Sequence, residues 1–134
     1  MSEIKNNWTI IKVEGADKRL YNLIGPLVMN PEVLAANENY PFRNTDQHIW
    51  YIALRGKNHV SGFLSIAGYT ISNDYVNNNS ELLEALLERV IADQPQGAVL
   101  RFIAHINELP LMEKMGFVVT KPGIKYFRVL KEVV

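Results

Sequence analysis

The chain has 134 residues, 48% of them hydrophobic, so it is long enough to bury a core and is expected to form one domain over residues 1–134. Fourteen Lys+Arg balance fourteen Asp+Glu, which removes the general electrostatic pull that nucleic acid or an anionic membrane exerts on a basic protein. The absence of Cys excludes a disulfide scaffold, a thiolate zinc site and a Cys nucleophile, and fits a reducing cytoplasm.

Residues 1–7 are polar with no apolar run behind them, so no secretory signal is expected there. No stretch approaches the ~18 consecutive apolar residues of a membrane span. Residues 8–14 are rich in β-branched side chains and stop at Gly15, the pattern of a strand. Asp17 can cap a following helix with Leu20, Leu23, Ile24, Leu27 and Val28 on one side, which Pro26 should kink or end early. A second short helix starts near Pro31. Residues 37–47 then form a polar loop with Tyr40, Pro41, Phe42 and Arg43, whose aromatics line a binding mouth or, as loop aromatics more often do, fold back on the core.

Residues 48–54 and 59–67 are two apolar runs around a turn with Gly56 and Asn58, the signal of an antiparallel hairpin. A third strand over 69–76 alternates weakly, placing Ile71, Asn73 and Tyr75 on one face and Thr70, Ser72, Asp74 and Val76 on the other. A strand polar on both faces beside hydrophobic ones is an edge or the wall of a site. After Asn77, Asn78, Asn79 and Ser80, the spacing of Leu82, Leu83, Leu86, Leu87, Val90 and Ile91 predicts a helix with one buried face. Any of the four polar residues can be its N-cap, and Asn78 with Glu81 has capping-box spacing.

Residues 98–106 are a nearly continuous apolar run, as in a strand covered on both faces. Asn107 is expected to cap a short helix that Gly116 closes, with Pro110 in its first turn. Residues 117–120 and 124–129 make a last pair of strands. The order β-α-α-β-β-β-α-β-α-β-β describes an α+β, or mixed α/β, domain with one sheet and helices on both faces.

That order, with certain local residues, resembles the GNAT (Gcn5-related N-acetyltransferase) superfamily. The segment from Asn107 to Phe117, ending Met115-Gly116-Phe117, is similar to the family's late helix and following strand, commonly written N…lYeklGF. Val60-Ser61-Gly62-Phe63 resembles the iVGf of its third strand, and Val76 with the loop and helix behind it resembles the acetyl-CoA-binding strand–loop–helix. The resemblance implies a single GNAT-like domain with a mostly antiparallel sheet of six to seven strands. It implies acetyl-CoA as co-substrate, held by Tyr75, Val76, Asn77, Asn78, Asn79, Ser80 and Asn107. It also implies a small-molecule or peptide amine as acceptor, and leaves room for a homodimer.

The sequence departs from the family pattern twice. The pyrophosphate loop usually reads Q/R-x-x-G-x-G/A, whereas residues 76–82 hold no Gly and no basic side chain. Asparagine adopts the left-handed conformation better than most non-glycine residues, so Asn77–Asn79 can replace part of that function, while Glu81 in the first helical turn repels an anion. Met112 falls where relatives often carry a Tyr that protonates the leaving thiolate, and a thioether has no proton to give. Tyr75 and Tyr126 are the substitutes available.

Acetyl transfer to an amine requires a neutral nucleophile, a polarised carbonyl and close approach. Asp74 is the carboxylate on the strand from which relatives often draw a base. His105, at the end of the buried run, is a residue type suited to proton transfer, though a structural role at a strand end is the commoner use. Asp74, His105 and Tyr126 are therefore the candidate catalytic residues. The three His are too scattered for a metal site. The expected activity is an acetyl-CoA-dependent N-acetyltransferase. The alternative is a non-catalytic GNAT-like module, in which side chains should fill the gap between the fourth and fifth strands.

Overall fold

The computed structural model describes residues 8–38, 41–57 and 59–134. Tyr40 and Asn58, assigned above to a loop and a turn, lie outside the described residues, as do residues 1–7. Among the described residues seven strands form: β1 (Thr9–Glu14), β2 (Ile49–Arg55), β3 (His59–Ala67), β4 (Thr70–Tyr75), β5 (Val99–His105), β6 (Val118–Lys121) and β7 (Tyr126–Glu132). Four helices accompany them: α1 (Arg19–Val28), α2 (Pro31–Ala36), α3 (Ser80–Ala92) and α4 (Leu109–Lys114), with a 3₁₀ turn (Ile106–Glu108) before the last. The strands join one sheet in the order β1-β2-β3-β4-β5-β7-β6. All neighbours are antiparallel except β4 and β5, which run parallel and are joined through α3.

Two cores sit on opposite faces of this sheet. On one face the apolar stripe of α3 (Leu82, Leu83, Leu86, Leu87 and Val90) packs with Tyr51, Leu64, Ile66, Leu100, Phe102 and, from α4, Met112. On the other, Leu20 and Ile24 of α1 meet Val13, Trp50, Ile52 and Phe63. Pro26 does not end α1, which runs to Val28. The intrahelical bond that a proline cannot make falls on an exposed part of the helix, where water can serve the freed carbonyl. Phe42 folds back on the core, its ring edge-on to Phe63 at 5.5 Å.

The continuous apolar run at β5 is not covered on both faces. Leu100, Phe102 and Ala104 are buried, but Arg101 and Ile103 are exposed. The helices of the second face lie over the β1–β3 half of the sheet, so this side of β5 faces a gap instead.

That gap has an identifiable cause. Along β3 and β4, Phe63 pairs with Tyr75 and Ser65 with Ser72, so two steps on β3 match three on β4. The surplus on β4 is a bulge, and within it Asn73 has φ +57°. The bulge reverses the side-chain parity of the strand. Ile71 joins the α3 core while Tyr75 packs toward Phe63 in the other, although strict alternation places them on one face. Beyond it, β4 and β5 diverge: their ladder registers only at Thr70 and Arg101.

A tight approach fixes the far end of β1. Gly15 donates its N–H to the His48 carbonyl at 2.8 Å and accepts from Asn44 Nδ2 at 2.9 Å, while Asn44 Oδ1 takes the Trp50 indole N–H at 2.8 Å. A Cβ on Gly15 would land on the Thr45 carbonyl oxygen and 2.5 Å from Asn44 Oδ1. Gly15→Ala is therefore expected to cost about 3 kcal/mol, read as a lower urea midpoint at unchanged slope.

Candidate active site

The diverging strands open a cavity of about 500 Å³. Its walls are Asp74, Tyr75 and Val76 from β4 and its exit, Asn77, Asn78 and Ser80 from the loop, Leu83 from α3, and Ile103 and His105 from β5. Asn107 and Glu108 of the 3₁₀ turn, Tyr126 of β7, Ala36 at the end of α2, and Asn37 and Glu38 after it complete them. Every candidate site residue named from the sequence except Asn79 lies in this wall. Glu38, Glu108, Ile103 and Leu83 also line it and were not named. Glu108 had a signal, because it lies three residues after His105. Glu38 had none, since nothing local predicts that the end of α2 reaches β7.

The loop solves its glycine problem with asparagine. Asn77 and Asn78 take φ +51° and +60°, in the left-handed region that glycine adopts most freely and asparagine tolerates. Asn79 is then the N-cap of α3, its Oδ1 accepting the Leu82 N–H at 3.1 Å, so the spacing of Asn78 with Glu81 forms no capping box. Asn78 cannot cap because its left-handed backbone is incompatible with the extended conformation a cap requires. Among the described residues, the N–H groups of Asn77, Asn78, Ser80 and Glu81 have no hydrogen-bond acceptor within the chain. They are available to an anion at the positive end of the α3 dipole. Among the described residues, no Lys or Arg lines the cavity.

Asp74 stands half-buried in the wall, and among the described residues it makes no salt bridge. Burial, reinforced by the negative charge of Glu108, pushes its carboxyl up to about 7. Burial raises Glu108 as well, although the His105 N–H it accepts at 2.8 Å opposes the shift.

His105, not Asn107, caps the turn after β5. Its Nδ1 accepts the Asn107 N–H at 3.1 Å while Glu108 reaches back to the His105 N–H, a reciprocal pair of bonds. Asn107, relieved of capping, is exposed on the cavity wall. A backbone N–H can only donate, so the neutral His105 ring carries its proton on Nε2. In that tautomer it offers the cavity a donor and no free lone pair. Its ring meets Tyr126 edge-on at 5.4 Å.

Tyr126 spans the mouth, its Oη donating to Glu38 Oε2 at 2.5 Å, with Lys125 Nζ 3.9 Å from the same oxygen. The hydrogen bond to Glu38, with burial behind it, pushes the phenol up to about 12. Tyr75 packs its ring 5.8 Å from Phe63. Met112 is fully buried in the α3 core and does not face the cavity. Among the described residues no three His, Cys, Asp or Glu side chains gather to hold a metal, and no helix is long and apolar enough to cross a membrane.

Solved structures share this architecture along almost its whole length. An acyl-CoA N-acyltransferase from Pseudomonas aeruginosa superposes with a TM-score of 0.69 at 12% identity, covering 92% of this chain and 99% of its own. ElaA from Escherichia coli gives 0.68 at 12% identity, covering 93% and 99%. An acetyltransferase of the GNAT family from Staphylococcus aureus gives 0.62 at 13% identity, covering 94% and 100%. The chain has the GNAT fold. No protein-family model matches the sequence, and no curated protein matches it either. The GNAT fold is thus present with little of the residue pattern that usually announces it. The parallel β4–β5 pair, opened by the bulge and joined through α3, places the cavity in the sheet.

Proposed function

We propose that this protein is an acetyl-CoA-dependent N-acetyltransferase that moves the acetyl group directly onto a primary amine of a small molecule or peptide. The observation that carries the reading is the open cavity between β4 and β5, walled by Asp74 and entered beside the free N–H groups at Asn77 and Asn78. A module that had lost the reaction would be expected to fill this gap with side chains.

In this reading the loop and the start of α3 bind the pyrophosphate through backbone N–H groups, assisted by the helix dipole. The thioester lies along β4, and the amine approaches from the side of Glu38 and Tyr126. Asp74 is the base: with its carboxyl raised to about 7, it takes the proton that the amine must lose. Neutral His105 donates from Nε2, so its natural role is to orient a water or substrate oxygen. Tyr126 stands nearest to the general acid that Met112 cannot be, and its bond to Glu38 keeps the phenol protonated. With no Cys in the chain, no acyl-enzyme forms on a thiol and the amine attacks the thioester itself.

Calorimetric titration of the pure protein with acetyl-CoA tests the reading. Saturable binding is expected, and absence of heat at about 1 mM ligand would sink it. Substitutions at the loop sharpen the test. Asn77→Ala and Asn78→Ala, which strain a left-handed backbone, should each weaken binding about fivefold, whereas Asn77→Gly and Asn78→Gly should retain it.

A further inference from the structure

Asn73 sits one residue before Asp74, and its side chain makes contacts that the bulge alone does not require. Its Oδ1 accepts the Arg43 N–H at 2.8 Å, and its Nδ2 donates to the Arg43 carbonyl at 2.7 Å. The side-chain amide thus forms the two-bond pair that a neighbouring strand residue would form with Arg43. The same Nδ2 lies 2.7 Å from Ser65 Oγ, which is fully buried. Arg43 lies just downstream of Ala36–Glu38, the part of the chain that lines the acceptor side of the cavity. Asn44, the next residue, is fastened to Gly15 and Trp50.

We infer that Asn73 is a positioning residue that couples the two halves of the site: its left-handed backbone forms the bulge that carries Asp74, and its side chain holds Arg43, and with it residues 41–45, against that bulge. The acceptor wall and the base are thereby set by one residue. This rests on the transferase reading, in which that wall meets the amine. Asparagine suits both duties, because it tolerates φ +57° and presents a donor and an acceptor side by side. Glycine would keep the backbone and lose the clamp.

The experiment compares the whole chain with Asn73→Gly and Ser65→Ala, using amide hydrogen exchange and acetyl-CoA titration. In Asn73→Gly, exchange at residues 42–45 should rise about tenfold or more while residues 77–83 stay unchanged. The acetyl-CoA Kd should stay within about twofold of wild type. With 1,4-diaminobutane or Nα-acetyl-lysine amide as probe acceptor, KM should rise more than kcat falls. Ser65→Ala, which leaves the Arg43 pair intact, should keep residues 42–45 protected. Unchanged exchange at 42–45 in Asn73→Gly, equal loosening throughout β3 and β4, or a parallel loss of acetyl-CoA affinity would each overturn the inference. If the wild-type protein itself takes up no acetyl-CoA, the transferase reading fails, and the exchange pattern still decides the clamp.

Discussion

Asp74→Asn is expected to abolish most transfer while making the protein more stable above neutral pH. Losing a positioned base costs about a hundredfold or more in kcat. In the wild type, activity should rise with pH through about 7 as Asp74 loses its proton, and the variant should lack this limb. Stability moves the opposite way. The folded value lies above the ordinary 3.8, so folding favours the protonated carboxyl. The associated stability is complete below 3.8 and is lost as pH rises through about 7, where the charge must be carried in the wall beside Glu108. A shift of this size corresponds to at most about 4 kcal/mol. Asn carries no such charge, so the variant should melt about 5 °C or more above wild type at pH 8 and show little advantage at pH 4. Paired thermal melts and pH–rate profiles check both halves. A variant that stays active with its acidic limb intact would remove Asp74 from the mechanism and return the proton to a water held by His105.

Stabilisation together with inactivation separates a functional carboxylate from a structural one. Asp93 shows the contrast. Desolvation works against its charge, but hydrogen bonds from Tyr51 and Lys12 and the charge of Arg89 hold it below the usual carboxylate range. It fastens the end of α3 to β1 and β2, and its charge is matched on the spot. The charge of Asp74 has no such partner, which is the condition a proton acceptor for an arriving ammonium requires.

How much of this was legible in the sequence depended on whether the signal was local. The β3 limits follow from the apolar run and its flanking turn, and the buried face of α3 follows from its leucine spacing, because both patterns report burial by neighbours of fixed period. The bulge was invisible to the same method. Alternation assumes that every residue advances the pleat by one step, and Asn73 breaks that assumption through a backbone conformation that one letter does not announce. The misreading of β5 has a similar origin: a continuous apolar run reports that both faces avoid polar residues, and Ile103 does so beside an open cavity rather than beneath a helix. The sequence leaves the α3 cap open among four polar residues, of which Asn79 is the cap, and it places Asn107 where His105 caps. Several polar residues in succession offer several caps, and the backbone decides among them. The glycine-poor loop was readable only through the chemistry of asparagine, whose tolerance of positive φ appears at both Asn77 and Asn78.

Gly62→Ala should disturb the donor side of the site from beneath. Gly62 lies on β3 under the exit of β4, where an added Cβ would stand 2.6 Å from the Tyr75 carbonyl oxygen and 2.7 Å from Leu82 Cδ2. The leucine methyl can turn aside. The carbonyl cannot, because Tyr75 is paired with Phe63 in the β3–β4 ladder and leads directly into Val76 and the loop. The methyl must therefore lift the strand end and the start of α3 together. The expected cost is about 2–3 kcal/mol in stability, with acetyl-CoA affinity lower by about tenfold or more, since the N–H groups at Asn77 and Asn78 move with the strand. Gly25→Ala is the control, because a Cβ there meets nothing within 4 Å beyond its chain neighbours and sits inside α1, far from the cavity wall. It should leave binding unchanged, and the gain of alanine over glycine in a helix is opposed here by the crowding of Pro26 on the residue before it. Urea denaturation and calorimetry on the two variants separate the effects. If Gly62→Ala lost stability but bound acetyl-CoA as wild type does, the close approach at β3 would serve packing alone, and the position of the loop would have to be set from α3.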